Sequence, residues 1–569
     1  MSLTRAHRRW AWTAAGVALT VGVLAAGTGA ADDKKPSYPK PPAAANVKVI
    51  PDAWKTTPRE PLTAEQLDQL ITQALKSADL SPAPLTTDEE FIRRVFLDLT
   101  GTLPSVAEVE KFAASKDPRK RAELIDRLLA GDAFPRHWAR SWRAVVAARG
   151  TNNIARRLGG PFETWLAEQL QANRSWADIT RDIITAQGEL RFDPRAEQQS
   201  GATYFLLLHT GPEAINERAA ETSRVFLGIQ IQCAQCHDHP SDIWKREQFH
   251  QFAAYFARVR DRLVREEDRF VGIALFALPR GEHFMPDPEN PRRGTPMSPR
   301  FLTGEALRPG TPDADRRKAL ADLITSKDNY WFAAAFVNRT WGELMGQSFY
   351  QPVDNLGPLQ EATFPEVLLR LAAAFQASGY DIRGLYRTIM NSQTYQRKIR
   401  LGDDPGAHVR FAGAYPSRLR ADSLWESLVA VLGPMPGGRP GFGPPGGGPG
   451  GFNRFGLRGV FMETFDFDPS TKADEVEGSV PQALLLMNNP QIHARIRATG
   501  DTLLARVLRA HANDAEAVKA VYMHALARKP SERELAVCLD YIKKVGRRAE
   551  AFEDILWSLI NSTEFQTRR

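Results

Sequence analysis

Apolar residues recur at three- and four-residue intervals over most of this chain, the spacing of helices that bury one face. Leu67, Leu70, Ile71 and Leu75 follow a capping box of Thr63 and Gln66. A second helix opens at Thr87 with Glu90 three residues on. It carries Phe91, Ile92, Val95, Phe96 and Leu99 on one face and stops at Gly101. Ser105 and Glu108 open a third, and residues 121–129 pattern as a fourth. Helical patterning continues through 138–148, 162–172, 176–186, 218–228 and 248–258, then resumes at 316–326, 331–345, 365–378, 382–392 and 481–565. Residues 259–315 break the rhythm: 271–278 reads as a strand, and the residues after it are dense in Pro and Gly. Residues 434–451 are Gly and Pro of low complexity, a composition that denies both ladder and helix, and they read as a flexible loop. The pattern predicts a mainly α protein. Two helical domains, 61–258 and 316–569, are joined by an irregular middle, 259–315, with a small strand-bearing insert.

The N-terminus has a different pattern. Arg5, Arg8 and Arg9 precede an uncharged apolar stretch, residues 10–26, then small residues and the polar run Asp32-Asp33-Lys34-Lys35. That order predicts a signal peptide over residues 1–31, cleaved after Ala30 or Ala31, with an extended leader over 32–60. A retained single-helix anchor is the competing reading, for which the stretch is short. The expectation is therefore an exported protein, periplasmic or extracellular, with no membrane span in the mature chain. The 569 residues are 43% hydrophobic, 25% charged and 9% aromatic, which excludes a disordered tail, a collagen-like rod and a multi-span membrane protein. The net charge of +7 is small for this length and well mixed, so there is no footprint for nucleic acid.

Export gives weight to the cysteines. A chain of this size buries its own core without disulfides, and it has only three cysteines, Cys233, Cys236 and Cys538. Cys538 stands alone in a helical pattern and reads as a buried apolar thiol. The other two lie in Gln232-Cys233-Ala234-Gln235-Cys236-His237-Asp238-His239-Pro240, which contains Cys-x-x-Cys-His, the attachment signal of c-type haem. Thiols three apart share one side of a turn, where they can add to the two vinyl groups of one porphyrin. His237 would then be the proximal iron ligand. Candidates for the second axial position are His239, His250, His209, Met285 and Met345. His250 is singled out because it shares a helix with Phe249, Phe252, Tyr255 and Phe256, a stripe that covers a porphyrin or simply packs the helix. Asp238 and Asp242 are candidates to orient a ligand imidazole. Two other chemistries suit the same residues: a Cys233–Cys236 disulfide, redox-active or structural, and a metal site drawn from Cys233, Cys236, His237 and His239.

Longer strings carry a resemblance. Glu90-Phe91-Ile92-Arg93-Arg94-Val95-Phe96-Leu97-Asp98-Leu99-Thr100-Gly101, then Leu103-Pro104, Leu124-Ile125-Asp126-Arg127-Leu128-Leu129 and the cysteine motif mark the N-terminal half. The second half has Asp328-Asn329, Phe332, Val337-Asn338-Arg339-Thr340-Trp341, Gly346, Pro352-Val353-Asp354, Ser392-Gln393-Thr394-Tyr395-Gln396, Gln482-Ala483-Leu484 and Asn488-Asn489-Pro490. On these marks the chain resembles a large, mostly planctomycete family of exported proteins of unknown function. Its members pair a cytochrome-like domain with a C-terminal companion domain. The resemblance implies export, a haem-related role and a two-part α-rich architecture, and supplies no reaction.

In the companion half Asn338, Arg339, Trp341 and Asp354 are the polar marks, either a binding site or a hydrogen-bonded cluster that fixes helix packing. No Ser-His-Asp order, nucleophile elbow, phosphate loop or paired-carboxylate spacing stands out, so no catalytic residue is assigned. The leading expectation is an exported c-type haem protein that transfers electrons to a redox partner or forms the redox part of a larger assembly. The alternatives are an interaction or scaffold protein clasped by a Cys233–Cys236 disulfide, and a metal-dependent enzyme on exported polymers using His237, Asp238 and His239.

Overall fold

The computed structural model describes residues 48–193, 195–197, 199–400, 410–435 and 456–568. The expected signal peptide, the first part of the leader and nearly all of the expected loop at 434–451 lie outside the described residues. The architecture is mainly α, with short antiparallel sheets. The three N-terminal capping boxes form as the sequence predicts: Thr63 with Gln66, Thr87 with Glu90 and Ser105 with Glu108 each exchange side-chain and backbone hydrogen bonds.

The helix Asp88–Thr100 acts as the spine. Phe91 to Leu99 are all buried, although the pattern gives it only one apolar face. A helix enclosed on every side needs partners for its polar residues as well, and here they come from far along the chain. Arg93 donates to the carbonyls of Glu564, Phe565 and Thr567. Arg94 donates to those of Tyr395 and Arg397, at 2.6 and 2.8 Å. Asp98 accepts from Arg568 Nε at 2.6 Å and from the Tyr395 hydroxyl at 2.7 Å. The apolar side chains of the spine divide accordingly. Phe91, Ile92, Val95, Phe96 and Leu99 join a large core built mainly from residues 54–412, with Met523 and Ala527 from further on. Leu97 joins a second core built mainly from residues 419–565.

The strand expected at 271–278 is the central strand Arg269–Ala277 of a three-stranded antiparallel sheet. Its neighbours are Val259–Glu266 and Gly188–Arg191, the latter from within the N-terminal half. Gly272 has no side chain because a Cβ there would stand 2.2 Å from the Leu190 carbonyl oxygen. A hairpin of His283–Pro286 and Gly294–Met297 comes next, in the segment read as Pro/Gly-rich linker. The helix expected over 218–228 differs too. It runs as Ala214–Thr222, widens into a π-turn at Ser223–Leu227 and ends at Gly228, with φ 66°. The wide turn carries Arg224, whose buried side chain reaches partners on three other segments. In the second half, helix Tyr330–Met345 is buried over nearly its whole length and ends at Gly346, where a Cβ would meet the Tyr415 carbonyl.

Asp98→Ala leaves the Arg568 and Tyr395 donors buried without their acceptor and is expected to cost about 3–5 kcal/mol of stability. Asp98→Asn, which keeps an acceptor oxygen, should lose less. Urea unfolding followed by circular dichroism gives the comparison, and equal midpoints for Asp98→Ala and the parent protein would refute the spine's role.

Candidate cysteine and histidine site

The motif begins in a 3₁₀ turn, Gln232–Gln235, where residues three apart lie above one another. Ile231 and Ala234 face inward and are fully buried in the large core, while Cys233 and Cys236 share the outer side and are exposed. Both are free thiols. His237 and Asp238 are exposed as well, so the three residues expected to hold haem form one surface group rooted in the core by the residues between them.

Hydrogen bonds fix which nitrogen of each imidazole carries the proton. His237 Nδ1 lies 2.7 Å from the Asp238 carbonyl oxygen. A carbonyl can only accept, so Nδ1 holds the hydrogen, and in the neutral ring Nε2 keeps the lone pair a metal ligand requires. Asp238 is itself pinned, its carboxylate accepting from Lys245 Nζ at 2.8 Å and from the Arg246 backbone at 3.1 Å. These contacts hold its carboxyl below the usual carboxylate range. His239 has the opposite tautomer. Its Nδ1 accepts from the Ser241 backbone at 3.3 Å, so in the neutral ring Nε2 carries the hydrogen. Burial lowers its pKa.

Helix Arg246–Ala253 braces the motif from behind. The Gln235 carbonyl accepts from His250 Nε2 at 3.0 Å and from Arg246 Nε at 3.3 Å, and the Gln235 amide donates to Glu213 at 3.0 Å. With its hydrogen on Nε2, His250 accepts at Nδ1 from His283 Nε2, 2.8 Å away. Arg246 also donates to the Pro286 carbonyl. His250, the distal candidate, is 1% exposed and has both nitrogens engaged in this brace. Burial lowers its pKa, and burial together with His250 pulls His283 down to about 4. Both rings are therefore neutral at pH 7. Of the other distal candidates, Met285 is half-buried in the hairpin, and Met345 is buried at the end of its helix. His209 is buried, with Nδ1 3.3 Å from Glu217.

Asp242 is a structural group. It is 4% exposed, its carboxyl is pushed up by burial, and it accepts from the Ile243 backbone at 2.7 Å. Its side chain fills the space beside Gly357, where a Cβ would stand 1.5 Å from Asp242 Oδ2. Gln360 donates to the Ser241 carbonyl at 3.1 Å, so the loop around residues 352–360 clamps the motif's far side. Among the described residues no three His, Cys, Asp or Glu side chains converge in a metal-holding group. Cys538 is buried, 3.9 Å from the Tyr522 hydroxyl, and burial pushes its thiol up.

The same loop meets the polar marks of the companion half: Asp354 lies on it, and Asn338, Arg339 and Trp341 reach it or its flank from helix Tyr330–Met345. Asn338 accepts from the Tyr350 backbone and donates to the Val353 carbonyl, both at 3.0 Å. Trp341 packs against Phe349 and Phe411. Asp354 is fully buried between two guanidinium groups, Arg339 on Oδ1 and Arg224 on Oδ2, and accepts from Ser470 Oγ at 2.6 Å. Arg224 is also paired with Glu221 at 2.6 Å. Burial alone would raise the Asp354 carboxyl, but Arg339 and Arg224 outweigh it and hold it low.

Pattern reading misses His283, Gln235, Arg246, Gly357 and Arg224. His283 lies in a segment without periodicity, and Arg224 sits on a helix where an arginine ordinarily signals a solvent face. A positive charge inside an otherwise apolar stretch, Ser223-Arg224-Val225-Phe226-Leu227, was the one available signal.

Residues 66–261 match the family model described as PSCyt2, protein of unknown function (DUF1549). Residues 316–444 and 454–542 match PSD1, protein of unknown function (DUF1553). The chain is thus similar to two families of unknown function in N- to C-terminal order, and the cysteine motif falls near the end of the first match. No curated protein and no solved structure matches the chain.

The neutral histidine pair makes stability depend on pH. His283 protonates near 6.5 when unfolded and near 4 when folded, so between those values the unfolded chain binds more protons and stability falls as pH is lowered. His283→Gln, which keeps a donor toward His250, should flatten that part of the curve. Thermal midpoints measured from pH 7 to pH 4 test this, and parallel curves for the two proteins would contradict it.

Proposed function

We propose that Cys233, Cys236 and His237 attach one c-type haem at the surface, and that the chain is an exported redox protein, moving electrons or forming the redox part of a larger assembly. The observation that carries this reading is the His237 tautomer beside two unpaired, solvent-reachable thiols. Nδ1 is held by the Asp238 carbonyl, which in the neutral ring leaves Nε2 as the nitrogen open to a metal, and both thiols are exposed and unpaired. A haem held there supplies a one-electron couple. The chain's own residues keep the attachment turn rigid. Ile231 and Ala234 anchor it in the core, Gln235 is fixed by His250 and Arg246, and Asp238 is fixed by Lys245. His250 is part of this brace, so the commitment of the chain is on the proximal side. Export rests on the N-terminal pattern of basic, apolar and small residues.

A second reading rests on the same exposure. Two free thiols three residues apart also suit a reversible disulfide, in which case the chain is an interaction or scaffold protein with a clasp.

The two separate in one experiment. Full-length protein made with haem-maturation machinery should show a pyridine haemochrome spectrum and an intact mass raised by one haem that survives denaturation. Cys233→Ser with Cys236→Ser should remove the covalent haem while leaving the helical spectrum unchanged. Colourless protein whose mass is lower by two hydrogens would overturn the haem reading in favour of the disulfide.

A further inference from the structure

Away from the cysteine site, helix Tyr330–Met345, residues 417–420 and residues 467–476 line an open cleft. It continues past Arg418 into a second hollow, and along Glu343 and Arg420 into a third. Its lining is rich in cations: Arg339, Arg418, Arg420 and Lys472, against the single carboxylate of Glu343.

Two of these cations have both a carboxylate partner and no orphaned nitrogen at the cleft. Arg420 holds Asp422 at 3.1 Å, and Lys472 holds Glu475 at 3.0 Å. Arg339 and Arg418 are different. Arg339 is 5% exposed; its Nη2 is on Asp354, and its Nη1 is buried at the cleft with no acceptor. A buried guanidinium nitrogen without an acceptor is unfavourable unless something else supplies one. Arg418 has only neutral acceptors, Gln482 Oε1 at 3.0 Å and Gln566 Oε1 at 3.4 Å. Among the described residues no carboxylate lies within ion-pair reach of it. Glu343, one helical turn beyond Arg339, makes no hydrogen bond or ion pair among the described residues and acts on Arg339 and Arg420 only at a distance.

We propose that this cleft is a binding site for a small oxyanion-bearing ligand, whose charged group is held between Arg339 and Arg418. Guanidinium donors match planar and tetrahedral oxyanions alike, so carboxylates, sulfates and phosphates share the necessary chemistry. Glu343 limits the charge the cleft accepts. A single oxyanion fits beside it, and a ligand with a hydroxyl or amino donor gains a partner in its carboxylate. The site is independent of haem, since none of its residues belongs to the cysteine motif.

The test uses the full chain with inorganic sulfate, inorganic phosphate and acetate as probes, against chloride at matched ionic strength. Isothermal titration should give saturable binding of at least one oxyanion and none of chloride. Sulfate or phosphate alone would assign a tetrahedral ester, and acetate alone a carboxylate. Arg418→Gln should weaken binding at least tenfold, and Glu343→Gln should strengthen it by relieving repulsion. Should Arg418→Gln fail to fold, Glu343→Gln remains as the second measure. No saturable oxyanion binding, or affinity unchanged in both variants, would overturn the proposal.

Discussion

The carboxylate of Asp354, fully buried between two arginines, is the constraint on which the rest of the structure depends. Removing one carboxylate and two guanidinium groups from water is costly, and the cost is offset only when each charge meets its partner at short range. Arg224, Arg339, Asp354 and Ser470 therefore cannot shift relative to one another without leaving a charge stranded. They come from the π-turn, helix Tyr330–Met345, the loop after that helix and a segment more than a hundred residues later. One ionic contact thus ties together four stretches of the chain, alongside the apolar packing and backbone bonds that also join them.

From that point the geometry reaches the surface in a few residues. Two positions past Asp354, the Leu356 backbone donates to the Gly228 carbonyl at 2.8 Å, just ahead of the cysteine motif. Gly357 accommodates Asp242, and Gln360 holds Ser241. The exposed thiols and the His237 ring are therefore displayed on a short turn clamped from both sides, by this loop and by the His250–His283 pair. Arg339 belongs to both settings. One of its terminal nitrogens completes the ionic contact, and the other faces the oxyanion cleft.

Much of the helical scaffold was legible in the residue pattern, because capping boxes and apolar spacing are local. Thr87 and Glu90 specify a helix start wherever the segment ends up. What the pattern could not convey is which polar residues turn inward. Arg93, Arg94 and Asp98 read as the solvent side of an amphipathic helix, yet all three are buried against segments some 300 to 470 positions away. The site was legible in the same partial way. The spacing of Cys233 and Cys236 gave their shared outward side. The ring orientation of His237, the brace from His283 and the fit of Asp242 against Gly357 depend on contacts that no local spacing encodes. The widened turn at Ser223–Leu227 was hidden because a π-turn and an α-turn have nearly the same hydrophobic rhythm over five residues.

The pairing of Asp98 with Arg568 has a temporal side. The two residues are 470 positions apart, and closing so long an interval is slow compared with forming the helices themselves. During synthesis, the helix that carries Asp98 emerges long before the partner of its carboxylate exists. Until Arg568 is made the Asp98 carboxylate lacks this partner, so the contact that ties the two cores together forms late.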